Sequence, residues 1–256
     1  MHERKLIYAI NTLSHAFTCV HIILTGAYTT AHTLEVRVLD ERIKRIIDKS
    51  EFLVFFGGAG VSTESSIPDF RSEDGLYAAK EEYGYAPEQI ISHSFFMRNP
   101  ETFYRYYKKH MLYPNAEPNP AHYALARLES EKKLKAVITQ NIDGLHQKAG
   151  SKNVYELHGS VLKNYCMNCN ARYNLEFIVK SDGVPKCTKC GHTVRPDVVL
   201  YEEALNPAIL AQSVDAISKA DTLIVGGTSL VVYPAAGLLK SEERRVGKEC
   251  RSRWSP

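Results

Sequence analysis

The sequence lacks the features of several large classes of protein. Its 256 residues include six cysteines, too few for a disulfide framework in a chain of this length. No apolar run reaches the roughly 18 residues that a membrane-spanning helix needs. The moderately apolar residues 17–27 are interrupted by Thr18, His21 and Thr25, which is not typical of a secretory signal. We therefore expect a cytoplasmic protein without a membrane partner.

The sequence also lacks a large excess of charge of one sign, because the formal net charge is only +3 at pH 7. An excess this small does not by itself indicate a nucleic-acid partner. Neither an internal repeat nor a low-complexity tract is visible. The length suits one large domain, or one domain with a smaller insertion.

A glycine-rich stretch near residue 58 is the first feature that points to a ligand. Residues 52–56 are all apolar and too few for a helix, so they predict a strand buried on both faces. Gly57, Gly58 and Gly60 follow, and small residues there let the backbone approach a bulky group. A strand, a glycine turn and a helix start can hold a pyrophosphate. The spacing departs from G-x-G-x-x-G at Thr63, so a tight turn without a ligand remains the alternative.

Two C-x-x-C pairs are the clearest metal signal in the chain. Cys166 and Cys169 form the first pair, and Cys187 and Cys190 form the second. Two such knuckles close a tetrahedron of thiolates around zinc and leave no open position, so the predicted metal is structural. Basic neighbours keep a nucleic-acid-binding zinc ribbon as an alternative, namely Lys163, Arg172, Lys186, Lys189 and Arg195.

Polar residues follow several predicted strands. Residues 140–143 come directly after one strand, and His158 follows the next. Side chains in such places line the ligand crevice of an open parallel sheet. Alone, each of them is as easily structural. The other predicted elements are helices at 39–47 and 121–131 and strands at 134–139, 154–157, 197–201 and 222–225.

Four motifs together carry a resemblance to one family. They are GAGVSTESSIPDFRS at 58–72, TQNIDGLHQKAG at 139–150, ELHG at 156–159 and RPDVVLYEE at 195–203. With the cysteine pairs between them, this ordered set resembles the bacterial sirtuins, which are NAD-dependent protein deacylases. The resemblance runs from about residue 39 to residue 239.

The resemblance implies an α/β fold, with a Rossmann-like parallel sheet, an inserted small zinc-binding module and a helical lid. The lid would span about 72–120, where aromatic residues at helical spacing fit either a core or a lid, and the zinc module about 163–195. Residues 1–38 would be an extension of unknown role. Residues 240–256 do not continue the family pattern, and this tail looks truncated or foreign.

The resemblance also implies an activity, namely NAD-dependent removal of acetyl groups from protein lysines. Acetyl would be transferred to ADP-ribose and nicotinamide released, with acetyl-lysine proteins or peptides as partners, and NAD and structural Zn²⁺ as cofactors. His158 would be the general base, a role that suits a histidine near pH 7, while Asn141 and Asp143 would orient the ribose and nicotinamide. The implied cofactor-binding residues are Gly58, Ala59, Gly60, Asp69, Phe70, Arg71, Gln140, Asn141, Ile142, Asp143, Gly227, Thr228 and Ser229. The implied substrate-binding residues are Val198, Val199 and Tyr201.

Three positions depart from the family pattern. Gly57 stands where the family usually has threonine, and Ser66 and Glu202 stand where it usually has glycine. Two alternative functions fit part of the pattern: a mono-ADP-ribosyltransferase on the same fold, and a non-catalytic zinc ribbon that binds nucleic acid.

The atypical tail generates one structural expectation. Without a further strand of its own beyond residue 239, the sheet would leave the predicted strand 222–225 at an exposed edge. An apolar edge strand invites aggregation, so we expect weak NAD binding and poor solubility.

Overall fold

The computed structural model describes residues 5–9, 41, 43–68, 80, 82–228 and 237–238. The strands are β1 Lys5–Ala9, β2 Leu53–Gly57, β3 Leu134–Thr139, β4 Val154–Glu156, β5 Gly159–Cys166, β6 Arg172–Tyr173, β7 Val194–Val198 and β8 Thr222–Gly226. The helices are α1 Pro87–Ile90, α2 His93–Arg98, α3 Pro100–His110, α4 Pro120–Ser130, α5 Leu145–Lys148, α6 Leu175–Lys180 and α7 Pro207–Lys219. Residues 41 and 43–49 are also helical. Among the described residues, no helix combines the length and apolar character that crossing a bilayer requires.

Five parallel strands form the larger sheet, in the order β1-β8-β2-β3-β4. All five residues of β2 are buried, as the continuous apolar run at residues 52–56 predicts. Side chains alternate across such a strand. Val54 and Phe56 therefore pack with α7 on one face, while Leu53 and Phe55 pack with α4 and the helical residues 43–49 on the other. The result is the three-layer α/β arrangement that the sequence predicts.

A smaller unit combines helices α1–α3 with an antiparallel sheet of order β6-β5-β7. The aromatic residues of α3 form its core, since Phe103, Tyr104 and Tyr107 are fully buried against Val194 and the zinc-module residue Cys166. The predicted helices of the aromatic region are thus confirmed, and their rings serve as core. Residues 72–79 and 81 of the predicted lid lie outside the described residues.

One predicted strand is wrong in position. The sequence predicts a strand at 197–201, but the strand is Val194–Val198, and it belongs to the small antiparallel sheet. Pro196 lies inside the strand, because β7 is an edge strand of this sheet, where a residue without an N–H is tolerated. Residues 199–201 do not continue the strand, although Tyr201 forms an isolated bridge with Ser92.

The expectation that β8 lies at an exposed edge of the sheet is also wrong. β1 pairs with β8 in parallel, with Lys5 opposite Thr222 and Ala9 opposite Gly226. Residues from the N-terminal extension therefore cover the edge that the sequence leaves bare. Since β8 lies between β1 and β2, its backbone hydrogen-bonding groups are used on both sides, and the reason for expecting poor solubility no longer holds.

Removal of residues 1–9 should expose this edge. We expect the shortened protein to lose about 2–5 kcal/mol of stability, because each ladder hydrogen bond contributes about 0.5–1.5 kcal/mol net. It should also self-associate through β8. Thermal unfolding and light scattering of the full and shortened chains measure the two effects. An unchanged melting temperature with a monodisperse sample would show that β1 does not support the sheet.

Candidate active site

Three loops meet at the carboxyl edge of the larger sheet, because β2, β3 and β8 are parallel and end side by side. Gly57 is in register with both Gly226 and Thr139. The Gly58 N–H donates to the Gly226 carbonyl at 3.2 Å, and the Gly60 N–H donates to the Gly227 carbonyl at 2.9 Å. The two predicted glycine turns are therefore joined directly by backbone hydrogen bonds.

The two turns approach each other too closely for side chains to fit between them. A Cβ added at Gly58 would lie 2.9 Å from the Gly227 oxygen, and one at Gly60 would lie 2.8 Å from the Gly227 Cα. Gly227 itself has φ +62, and a Cβ there would lie 2.4 Å from the Val61 nitrogen. Backbone contact between the turns is thus sufficient to require glycine at these positions.

The loop after β2 does not start an α-helix, which corrects the expected strand–turn–helix unit. Two short 3₁₀ helices follow instead, Ala59–Val61 and Thr63–Ser65. Most backbone N–H groups here already have acceptors, so few remain for a phosphate. Among the described residues, Ala59 supplies the one N–H of residues 58–62 without an intramolecular acceptor. The loop ends at Ser66 with φ 62, a left-handed conformation that explains why glycine suits this position.

Some predicted cofactor-binding residues cannot be placed. Asp69, Phe70, Arg71 and Ser229 lie outside the described residues. Thr228 is described, and its hydroxyl accepts a 2.9 Å hydrogen bond from the Gln140 side-chain amide.

Gln140 also fixes the orientation of His158. The Gln140 carbonyl lies 2.9 Å from His158 Nδ1, and because a carbonyl can only accept, Nδ1 carries the proton in this contact. Nε2 of the neutral ring is therefore a proton acceptor. Burial lowers the pKa of His158, although the Gln140 hydrogen bond partly opposes it. The neutral base form is thereby favoured at neutral pH.

Asn141 and Asp143 are joined by a serine that the sequence reasoning missed. The Ser62 hydroxyl donates to Asp143 Oδ2 at 2.8 Å and accepts from the Asn141 amide at 3.0 Å. The other Asp143 oxygen accepts the Leu145 N–H at 2.9 Å. Ser62 follows directly after GAGV, and its place at the end of a predicted ligand turn was the signal that could have found it. Ile142 packs against the small unit's core.

A buried histidine pair lies beside this network. His122 and His146 have ring centroids 4.7 Å apart, and they are 0% and 1% exposed. Neither ring nitrogen of His146 has a hydrogen-bond partner among the described residues. Burial, with the neighbouring His122 as a smaller cause, lowers the pKa of His146 to about 3, so both rings are neutral at pH 7.

The predicted substrate residues lie on residues 198–203, directly beside His158. Val198 ends β7 and is buried, and the Val199 N–H donates to the His158 carbonyl at 2.9 Å. Tyr201 is 40% exposed. Within the described part of the chain, the Val199 carbonyl accepts no hydrogen bond.

The four cysteines converge as the C-x-x-C pairs predict. None forms a disulfide, and the four Sγ atoms lie within 4.8 Å of one another. Sγ atoms of different pairs lie 3.4 Å apart for Cys166 and Cys190 and 3.5 Å apart for Cys169 and Cys187. Zinc–sulfur bonds of about 2.3 Å in a tetrahedron require about 3.8 Å, so the cluster fits a structural zinc ion with little movement.

Comparisons with known proteins agree with this geometry. Residues 58–234 match the model of the Sir2 family, and the chain belongs to this family. It is similar to the NAD-dependent protein deacetylase of Clostridium perfringens, with 64% identity over 198 residues, covering 77% of this chain and 81% of the relative. The enzyme of the same name from Clostridium acetobutylicum is 61% identical over 199 residues, with the same coverage.

Solved structures of Sir2 proteins share the fold. A Sir2 structure with a p53 peptide and NAD⁺ is 41% identical, with a TM-score of 0.71 over 81% of this chain and 83% of that chain. A second, with a deacetylated p53 peptide and an acetyl ADP-ribose, has 41% identity and a TM-score of 0.72 over the same shares of the two chains.

Stability should depend on pH through His146. An unfolded histidine binds a proton near pH 6.5, whereas folded His146 stays neutral to about pH 3. Stability is therefore lost as pH falls through this window, by up to about 1.4 kcal/mol per pH unit. Denaturant unfolding between pH 7 and pH 4 should show a shallower dependence in His146→Leu and His146→Gln than in the wild type. Parallel curves for all three proteins would contradict this role.

The zinc site should contribute to folding. Replacing Cys187 with Ser removes one thiolate, and because zinc-binding free energy is also folding free energy, metal content and melting temperature should fall together. Elemental analysis and thermal unfolding measure both. Thr188→Ser is the control, because it changes the same knuckle and leaves all four thiols. A Cys187→Ser protein that lost zinc but melted like the wild type would refute a structural role.

Proposed function

We propose that this chain is an NAD-dependent protein lysine deacetylase. The observation that carries the proposal is His158, a neutral histidine whose Nδ1 proton is held by the Gln140 carbonyl and whose Nε2 can accept a proton. Family membership and the names of the similar bacterial enzymes support the same activity. The catalytic domain would span 39–239, and the reduced four-cysteine site supports a cytoplasmic location.

The carboxyl edge of the sheet would hold the cofactor. The Ala59 N–H, which has no backbone acceptor among the described residues, is available to a phosphate oxygen. The Gln140 side chain, at the end of β3, holds the second turn by its hydrogen bond to Thr228. The proposed cofactor-binding residues are Gly58, Ala59, Gly60, Asp69, Phe70, Arg71, Gln140, Asn141, Ile142, Asp143, Gly227, Thr228 and Ser229.

Bound NAD would supply an electrophilic ribose carbon, from which the acetyl oxygen of the substrate would displace nicotinamide. His158 Nε2 would accept a proton from a ribose hydroxyl, which makes that oxygen a nucleophile toward the acyl carbon. Asn141 and Asp143, joined through Ser62, would fix the ribose and nicotinamide by hydrogen bonds. Water would complete release of the lysine.

Residues 198–203 would bind the acetyl-lysine peptide. A peptide can add to exposed backbone as a further strand, which gives affinity with little demand on side-chain sequence. The Val199 carbonyl, without a partner among the described residues, supports this mode. Val198, Val199 and Tyr201 are the proposed contacts, and solved Sir2 structures with p53 peptides support a peptide substrate.

Mass spectrometry of an acetyl-lysine peptide incubated with and without NAD tests this function. We expect loss of the acetyl group only with NAD, together with one released nicotinamide for each peptide. Radiolabelled NAD in the same reaction distinguishes the alternative, since ADP-ribose left on the peptide or enzyme would indicate a transferase. An acetylated peptide unchanged by NAD would overturn the proposal.

His158→Ala should lower the deacetylation rate by roughly 10²- to 10⁴-fold, the usual contribution of a general base. Zinc content and melting temperature should stay close to the wild type, which separates a catalytic loss from unfolding. Because burial lowers the pKa of His158, the acid limb of the wild-type kcat/KM profile should lie below the ordinary histidine value of about 6.5. Turnover near the wild-type rate in the variant would refute the assignment.

A further inference from the structure

Residues 198–203 are held by a largely buried ion pair. Arg195 is only 8% exposed, and its guanidinium contacts both Glu203 oxygens, at 2.8 and 3.0 Å. The same guanidinium donates to the Val198 carbonyl at 3.1 Å. This bidentate geometry is the strong form of an arginine–carboxylate ion pair. The pair therefore ties the beginning of the segment to its end.

Glu203 makes further bonds to the segment and to the helices next to it. Its carboxylate accepts the Leu200 N–H at 2.9 Å and contacts His93 Nδ1 of α2 at 2.8 Å. The Glu203 N–H donates in turn to the Leu200 carbonyl at 3.1 Å. Burial alone would raise the pKa of Glu203, but hydrogen bonds, first from Arg195, hold it at about 2. The carboxylate is thus charged at any assay pH.

Glu202 adds a second connection to α2. Its backbone has φ 76, a conformation in which a side chain is strained. Its carboxylate accepts from the Ser94 N–H at 2.9 Å and from the Ser94 hydroxyl at 3.0 Å. Tyr201 bonds through its backbone to Ile91 and His93. The segment is therefore docked on the small unit at several points.

The other side of the segment touches the proposed catalytic residue, through the Val199 N–H and the His158 carbonyl. We propose that the Arg195–Glu203 ion pair is a positioning device that holds residues 198–203 ready for an acetyl-lysine peptide. Neither residue takes part in the chemistry. The inference deepens the proposed deacetylase function and rests on it.

An exposed ion pair of this kind would contribute little. Here Arg195 is buried and also stacks over aromatic rings, 5.6 Å from the Phe96 centroid and 5.8 Å from that of Tyr165. Loss of the Glu203 charge would leave a buried guanidinium with one partner fewer. The segment would then have to be ordered by the peptide itself, which lowers peptide affinity.

Fluorescence anisotropy with a fluorescein-labelled acetyl-lysine peptide tests the proposal without turnover. In Glu203→Gln, the amide oxygen can still accept the Leu200 N–H, so the fold should persist while the ion pair is lost. We expect the peptide Kd to rise roughly tenfold. Arg195→Lys keeps the positive charge but loses the bidentate contact with the carboxylate. This variant should also raise the peptide Kd, by a smaller factor than Glu203→Gln. Glu176→Gln, which removes an exposed ion pair with Lys180 on α6, is the matched control and should bind as the wild type does.

The same variants distinguish a specific effect on the peptide-binding segment from a general loss of structure in the site. NAD affinity should stay unchanged, and turnover assays should show a higher KM for peptide with kcat nearly constant. Unchanged peptide Kd in Glu203→Gln and Arg195→Lys would overturn the proposal, as would an equal loss of NAD and peptide affinity. Failure of the deacetylase function looks different, since the wild type would then bind the peptide without removing its acetyl group.

Discussion

The contact between the two glycine turns is the constraint on which the site depends. β2 and β8 are neighbours in a parallel sheet, so their ends must meet, and Gly60 and Gly227 meet without side chains. Gln140, at the end of β3, joins this contact through Thr228 and reaches His158 with its carbonyl. One edge of one sheet thereby sets the positions of the proposed cofactor loops and the proposed base.

The second half of the site depends on a different unit. Residues 198–203 lie where the antiparallel zinc module, the helices α1–α3 and the His158 backbone come together. Aromatic side chains such as Phe103 and Tyr104 join the helices to the zinc module in one core. A zinc ion bound here would support catalysis indirectly, because it would help to hold the surface on which the peptide is proposed to lie.

Periodicity was enough to predict most of the sheet. β3 was predicted with its observed bounds, and the run at residues 52–56 was shifted by one residue from β2. The convergence of the four cysteines followed from their spacing alone. Long-range contacts were not visible in this way. Ser62 was missed because its importance comes from Asn141 and Asp143. The pairing of β1 was missed because nothing local in residues 5–9 indicates a partner beyond residue 220.

That pairing has a consequence for biosynthesis. Residues 5–9 are made before every other described strand, and their partner, residues 222–226, is made last among the described strands. β1 must therefore stay unpaired until β8 has been made, and closing so long a loop is slow. Until β8 arrives, a chaperone or a protease can reach this segment of the nascent chain. A bulky tag placed before residue 5 would act on the final step of sheet assembly.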